Sequence, residues 1–346
     1  MRFYFTEEDR PTEIRAQDIR AALVHAYHRV AHGRPLAPMP AKVDVWMHGI
    51  GIAGSAAMNP AVAEMLLQSQ ARVVIFQACD HRSMCFEQIP AAVAERAELF
   101  LRSHWPNDSG EIPAEFRDRI GFLPPMIKPS LPAPGKDLSR RSGNAIFFGT
   151  RTGMVNLANG KNAREECVRL MLNSGLPFQG GIVAHDDPRY ASDPQLVVPK
   201  ISEVRHRALL SDSKICLAPW GNHPITYRLF EGLAARCLVV AQSLRETAFL
   251  DGGLEADRHY VEVAPDLSNL TEKVAYYLSH LDEAQRIADA GHRHFETYFA
   301  ARGKLVSSYI FESTVASWGN LYQPATPPNL LASMRGQLSR WFPNWY

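Results

Sequence analysis

The stretch Gly221 to Cys237, GNHPITYRLFEGLAARC, places a guanidinium at Arg228 and a carboxylate at Glu231, three residues apart in a segment of helical character. At about 100° per residue, Leu229, Phe230, Leu233 and Cys237 gather on one side. Arg228 and Glu231 fall within about 60° of each other on the opposite side, which is expected to face away from the packing surface. Such a pair has two uses. It can be a surface i, i+3 ion pair contributing about 0.2 to 0.5 kcal/mol. Alternatively, the cation can meet a phosphate while the carboxylate accepts from ribose hydroxyls. Pro224 suits the first turn of a helix, and Gly221 with Asn222 permits a tight bend from strand to helix. The start of that helix is therefore expected at the carboxyl edge of a sheet, where free amides and the helix dipole favour an anion.

The first half carries a different motif. MHGIGIAGS sets Gly49, Gly51 and Gly54 in G-x-G-x-x-G spacing straight after a strand, and Asp80 ends the next strand. Alone, that is the dinucleotide fingerprint, with glycines for a pyrophosphate and an acid for a ribose. Two details count against it. Met58-Asn59-Pro60 interrupts the stretch where the pyrophosphate-binding helix should run, and the acid lies far for a unit of about 30 residues. A nicotinamide-dependent oxidoreductase is the alternative function this motif carries.

In the second half, PWGNHPITYRLFEGLAARCLVV, preceded by SKICLA, resembles the donor-binding segment of the exostosin-like glycosyltransferases. It is also similar to the corresponding segment of the group 1 glycosyltransferases of the GT-B fold, where a helix Glu holds the nucleotide ribose. The close match covers about 30 residues and extends loosely over residues 144 to 300, from FFGTRTG to YYLSHLDEAQRIADAG. The resemblance implies an α/β fold of the GT-B kind, two Rossmann-like domains with mainly parallel sheets facing across a cleft. It implies a sugar transferred from a UDP- or GDP-linked donor to a glycan, lipid-linked or other hydroxyl acceptor, with no cofactor besides the nucleotide sugar and no metal. Glu231 would hold the ribose, and Arg228, Thr226 and the backbone after Gly221, through Asn222 and His223, the diphosphate. One departure stands out: retaining group 1 members carry a second Glu eight positions before the helix Glu, and here that position is His223. Inversion is therefore expected. A third alternative is a sugar-nucleotide-binding protein without catalysis.

Within that reading, Gly149, Thr150 and Arg151 of FFGTRTG lie at a strand end, where Arg151 could neutralise the leaving diphosphate or serve as an ordinary turn arginine. The acceptor would lie against the first domain beside a glycine-rich loop, with Gly49, Gly51 and His81 on the acceptor side. Candidate bases come from strand ends, His48, Asp80 and His81. Asp80 in QACDHRS is the first choice, since a partly shielded carboxylate can be tuned by His81 and Arg82; a loop Asp capping a turn is the plainer reading. His104 in FLRSHWP is a further candidate. HDDP (185 to 188) reads as a turn rather than a metal site, because consecutive carboxylates point in different directions.

These residues need elements to place them. Apolar spacing predicts a helix over 14 to 30 and buried strands at VDVWMH (43 to 48) and RVVIFQAC (72 to 79), with the helical AVAEMLLQSQ between, a parallel crossover unit. ELFLRSHW is another strand. FLPPMIKPSLPAPGKDLSRRSGN (122 to 144), rich in proline, reads as a semi-rigid connector. Beyond it, strands at 145 to 150, 178 to 184, 214 to 219, 237 to 242 and 259 to 263 alternate with helices, one over 162 to 175 stopped by Gly175. From Leu267 the pattern is helical, with Gly291 a stop. The expected domains are 1–125 on the acceptor side, a linker 126–143, a nucleotide-sugar domain 144–315 and a tail helix 316–346 packing back on the first domain.

The totals restrict the function classes. Lys and Arg number 37 against 36 Asp and Glu, without like-charge blocks, so nucleic-acid binding through phosphate neutralisation is not expected. Five scattered cysteines without CxxC pairs suit free thiols in a reducing, cytoplasmic compartment. The start MRFYFTEEDR lacks the basic region and apolar run of a secretory signal, and no apolar run nears the ~18 residues of a membrane span. The tail LLASMRGQLSRWFPNWY also has the make-up of a basic amphipathic segment, which would place the chain at the inner face of a membrane near a lipid-linked acceptor.

Overall fold

The computed structural model describes residues 2–7, 29–32, 42–50, 57–77, 88–102, 114–122, 130–151, 157–184, 191–221, 224–244 and 254–299. They form two six-stranded sheets in which every described ladder is parallel. The expected tail and residues 185–188 lie outside the described residues.

The first sheet comprises β1 (Arg2–Glu7), β2 (Arg29–His32), β3 (Val45–Ile50), β4 (Arg72–Gln77), β5 (Leu99–Arg102) and β6 (Ile120–Phe122), in the order β2-β1-β3-β4-β5-β6. Three of these strands depart from the expectation, β6 among them, which takes Phe122 from the expected connector. β1 was not expected, yet Phe3, Tyr4 and Phe5 are a continuous apolar run that the sheet buries on both faces, as parallel sheets do. The helix expected to reach Val30 gives way by Arg29 to β2, where Val30 pairs with Phe3. Helix α1 (Pro60–Gln68) connects β3 to β4, and α2 (Ala91–Arg96) connects β4 to β5. Val62, Leu66 and Val93 pack on Trp46, Val73, Ile75 and Phe100 to make that core.

The second sheet runs β12-β11-β10-β7-β8-β9. Its strands are β7 (Gly143–Thr150), β8 (Phe178–Val183), β9 (Val197–Val198), β10 (Ser213–Leu217), β11 (Leu238–Gln242) and β12 (Val261–Val263). The helices are α3 (Ala163–Asn173), α4 (Glu203–Asp212), α5 (Tyr227–Ala234), α6 (Leu270–Ser279) and α7 (Leu281–Tyr298). Alternation along the strands sorts them into two faces. Phe147, Leu217 and Val240 meet Cys167 and Met171 of α3 and Val274 of α6. On the other face, Val239 and Ala241 meet Leu229, Phe230 and Leu233 of α5, while Cys216 meets Leu210 of α4. Cys167, Cys216 and Cys237 are buried free thiols, and burial pushes Cys167 up to about 12 and Cys237 up to about 11.

Two glycines were expected to stop helices, with different results. α3 ends at Asn173 and Gly175 follows at φ +71°, a left-handed conformation glycine adopts without strain. Gly291 stops nothing: α7 runs through it from Leu281 to Tyr298. Its glycine is a matter of approach, since a Cβ there would stand 2.3 Å from His259 O and 2.8 Å from Leu233 Cδ2.

The segment leading into β7 is pinned rather than loose. Arg141, 3 % exposed, donates Nε to Lys136 O, Nη1 to Ser213 O and Cys237 Sγ, and Nη2 to Ala235 O and Arg236 O. All five donors of the guanidinium are used.

His259, which packs beneath α7, sets an acid limit on the fold around the second sheet. Its Nδ1 accepts from Glu255 N at 3.0 Å and its ring lies 4.3 Å from that of His294. Burial first, then the His294 and Arg258 charges, lower it from 6.5 to about 4 against a smaller opposing pull from Glu255. A depressed histidine is held neutral by the fold, so its contribution is complete above pH 6.5 and drains away as pH falls toward 4. Urea midpoints measured between pH 7.5 and 4 should fall across that window, and His259→Phe should flatten the slope.

Candidate functional site

Strand order in the second sheet reverses between β7 and β10: from β7 the chain moves outward through β8 and β9, then returns to β10 on the other side. The crevice outside the carboxyl ends at such a reversal is where open α/β sheets place ligands. β7 arrives there with Phe148, Gly149 and Thr150, and β10 leaves through Ala218, Pro219, Trp220 and Gly221. Trp220 packs with the α3 and α6 face and Ile225 with the α5 face. α5 then begins at Tyr227 with Thr226 as its N-cap, so Pro224 stands ahead of the first turn rather than in it.

The expected outward orientation of Arg228 and Glu231 is overturned. Glu231 is 3 % exposed and the Arg228 side chain 20 % exposed. They pair with each other, and Arg228 Nε donates to Phe148 O at the end of β7. The physical reason lies one residue on. A Cβ at Gly232 would stand 2.9 Å from Cys216 Cβ and 2.8 Å from Val239 Cγ2, so α5 lies hard against the sheet along that stripe. Arg228, Glu231, Gly232 and Ala235 therefore face the sheet as well, while Leu229, Phe230 and Leu233 span from Val239 and Ala241 to Tyr260, Phe295 and Phe299. The charged pair occupies the first turn of that stripe, over the strand ends. The i, i+3 ion pair weighed from the sequence is present, but in the protein interior.

Thr226 is 7 % exposed, makes no capping bond, and among the described residues its Oγ1 has no hydrogen-bond partner. An orphaned buried hydroxyl carries a desolvation penalty of about 1 to 3 kcal/mol, which a ligand oxygen would remove. Gly221 is buried, and Asn222 and His223 lie outside the described residues. At the end of β7, Arg151 lies 3.1 Å from Glu165, with which it forms an ion pair. Arg164 Nη1 donates to Thr150 O at 2.9 Å. The Gly149–Arg151 corner is thus tied to the start of α3, whose N-cap Asn162 accepts from Arg164 N and Glu165 N. Sequence reasoning missed Arg164 and Glu165; the Asn-x-x-Glu spacing before an apolar run was the available signal.

The first sheet gives a different result for its candidates. β3 runs two residues past His48, which is fully buried with its Nδ1 2.8 Å from Thr6 Oγ1. Thr6 Oγ1 in turn accepts from Trp46 Nε1 at 2.8 Å. His48 is therefore a member of a buried polar chain and not a strand-end group. Gly49 also lies within β3, paired with Glu7 and Phe76. The helix after the glycines begins at Pro60, capped by Asn59 Oδ1, which accepts from Ala61 N. A dinucleotide fingerprint needs that helix start directly behind its glycines, whereas α1 begins at Pro60, six residues after Gly54, with its Ala61 amide already capped. Gly51, Gly54, Asp80, His81 and His104 lie outside the described residues. Among the described residues, no helix is long and apolar enough to cross a membrane, and no cluster of three His, Cys, Asp or Glu is placed to hold a metal ion.

Residues 164–305 match the family described as Glycosyl transferase-like. No curated protein sequence matches the chain. Among solved structures, sucrose-phosphate synthase from Thermosynechococcus elongatus is similar at 11 % identity and a TM-score of 0.58, covering 92 % of this chain and 100 % of that one. A glycosyltransferase from Rickettsia africae ESF-5 is similar at 11 % identity and a TM-score of 0.54, covering 90 % and 98 %. The fold is that of GT-B proteins, with two parallel sheets.

Proposed function

We propose that the chain is a glycosyltransferase whose donor, a nucleoside diphosphate sugar, binds at the strand reversal of the second sheet, a reading supported by the family match over residues 164–305 and the GT-B fold. The observation that carries this reading is the orphaned Thr226 hydroxyl at the start of α5. The diphosphate would meet that hydroxyl, the backbone from Gly221 through Asn222 and His223, and the positive end of the helix. Arg228, anchored on Phe148 O, adds a full charge beside it, and Glu231, oriented by Arg228, accepts from the ribose hydroxyls. Gly149 and Thr150 shape the opposite wall, with Arg151 held toward Glu165.

The acceptor, a glycan or lipid-linked alcohol, would lie against the first domain. Its oxygen attacks the anomeric carbon as the bond from that carbon to the diphosphate oxygen breaks. The acceptor proton passes to Asp80, and the electron pair leaves with the nucleoside diphosphate, stabilised by Arg228 and the helix start. Such a displacement inverts the anomeric centre, consistent with His223 where retaining relatives carry Glu. It draws its charge balance from the protein, without a metal. His48, being buried and bonded to Thr6, is not the base.

Thr226→Val tests the site. Removing a buried, unpartnered hydroxyl should leave thermal stability equal or higher, while the affinity for UDP or GDP falls about tenfold. Calorimetry of both variants with each nucleotide reads the second effect and a melting curve the first. Unchanged affinity for whichever nucleotide the native chain binds would remove the diphosphate from this helix.

A further inference from the structure

Pro219, two residues past the end of β10, has no amide hydrogen, so the ladder between β10 and β11 cannot continue through it. The last backbone rung is Ala218 N to Val240 O at 2.8 Å. The next amide, that of Trp220, donates to a side chain instead, Gln242 Oε1 at 2.9 Å. Trp220 Nε1 donates to Ser243 O at 3.1 Å. Gln242 is the last residue of β11, fully buried, and its Nε2 donates to Pro265 O at 2.7 Å beyond β12. The partners settle the amide's orientation, because an N–H requires the oxygen and a carbonyl requires the nitrogen. One buried amide thereby joins the exits of three neighbouring strands at the carboxyl edge.

We propose that Gln242 is a positioning residue for the nucleoside diphosphate donor; the proposal rests on the donor reading above. Gln242 fixes the main chain at Trp220, on the exit of β10 toward α5. Thr226 follows Trp220 by six residues in the chain, so the start of α5 is tied closely to the point where Gln242 holds the backbone. Gln242 touches no ligand in this arrangement and acts through the backbone it holds.

Two variants separate positioning from simple support. Gln242→Met keeps the length of the side chain and loses both hydrogen bonds. Gln242→Glu keeps the acceptor, and regains the donor to Pro265 O only while its carboxyl is protonated, a form that burial favours. UDP and GDP serve as probes, titrated by calorimetry from pH 6 to 9 at a temperature where circular dichroism shows each protein folded. For the nucleotide the native chain binds, Gln242→Met should bind about tenfold more weakly at every pH. The ratio of Gln242→Glu to native dissociation constants should start near one and climb as pH rises. Native affinity in Gln242→Met, or a ratio for Gln242→Glu that does not move with pH, overturns the positioning role while leaving the donor site in place. Failure of the native chain to bind either nucleotide overturns both.

Discussion

Arg228→Ala is expected to destabilise the second sheet and its helices by about 3 to 5 kcal/mol, because it leaves the Glu231 carboxylate buried without its counter-charge. Glu231 is 3 % exposed, so water cannot replace the guanidinium, and the Phe148 carbonyl loses its donor as well. A urea titration followed by circular dichroism reads the loss. The double substitution Arg228→Met with Glu231→Leu separates fold from function. A buried ion pair exchanged for apolar side chains of similar size is often neutral or stabilising by about 1 to 4 kcal/mol, so the double variant should regain the native midpoint. It should still bind no nucleotide and transfer no sugar. A double variant that is stable and active would show that the pair serves only the packing of α5, whereas native stability in Arg228→Ala would show that the pair is not desolvated.

Arg141→Ala should cause a loss of similar size, about 3 to 5 kcal/mol, for a different reason. No carboxylate neutralises Arg141 among its five hydrogen bonds; it is solvated by the carbonyls of Lys136, Ser213, Ala235 and Arg236 and by Cys237 Sγ. Its removal strands acceptors at the start of β10 and at the end of α5 together. Arg141→Lys should recover less than half of the loss, since an ammonium offers three donors where the guanidinium offers five in a fixed plane. The midpoint of urea unfolding distinguishes the three proteins. Nucleotide affinity should weaken in both variants, because Arg141 holds the carboxyl end of the same helix whose other end carries Thr226.

The strands that are buried short runs flanked by turn residues were legible in the sequence. VDVWMH, RVVIFQAC, AIFFGT, KICLAP and CLVVAQ all became strands, displaced by at most a few residues at their ends. Period and punctuation carry that information locally. The facing of α5 was not legible, because a helical wheel weighs side chains and Gly232 has none, although its bare Cα is what lets the helix touch Cys216 and Val239. Gly291 misled in the same way: a glycine within a helix reads as a stop when it marks a close approach to a distant carbonyl. β1 passed unnoticed because Phe3, Tyr4 and Phe5 form a run whose meaning comes from two partners, β2 and β3, far along the chain. The Gln242 contacts with Trp220 and Pro265 had no signal in spacing, since glutamine at a strand end is ordinary until the loops around it are in place.

The uniformly parallel ladders bear on how the protein reaches this state. With no hairpin among the described strands, no pairing can zip outward from a tight turn, and each rung awaits the closure of a long crossover. Gly143 must find Ser213 before β7 and β10 lie side by side, and until they do the crevice at the strand reversal does not exist. Chain collapse and helix formation can therefore run well ahead of ligand competence during refolding. A bound nucleotide reports a late event, the joining of the two halves of the second sheet.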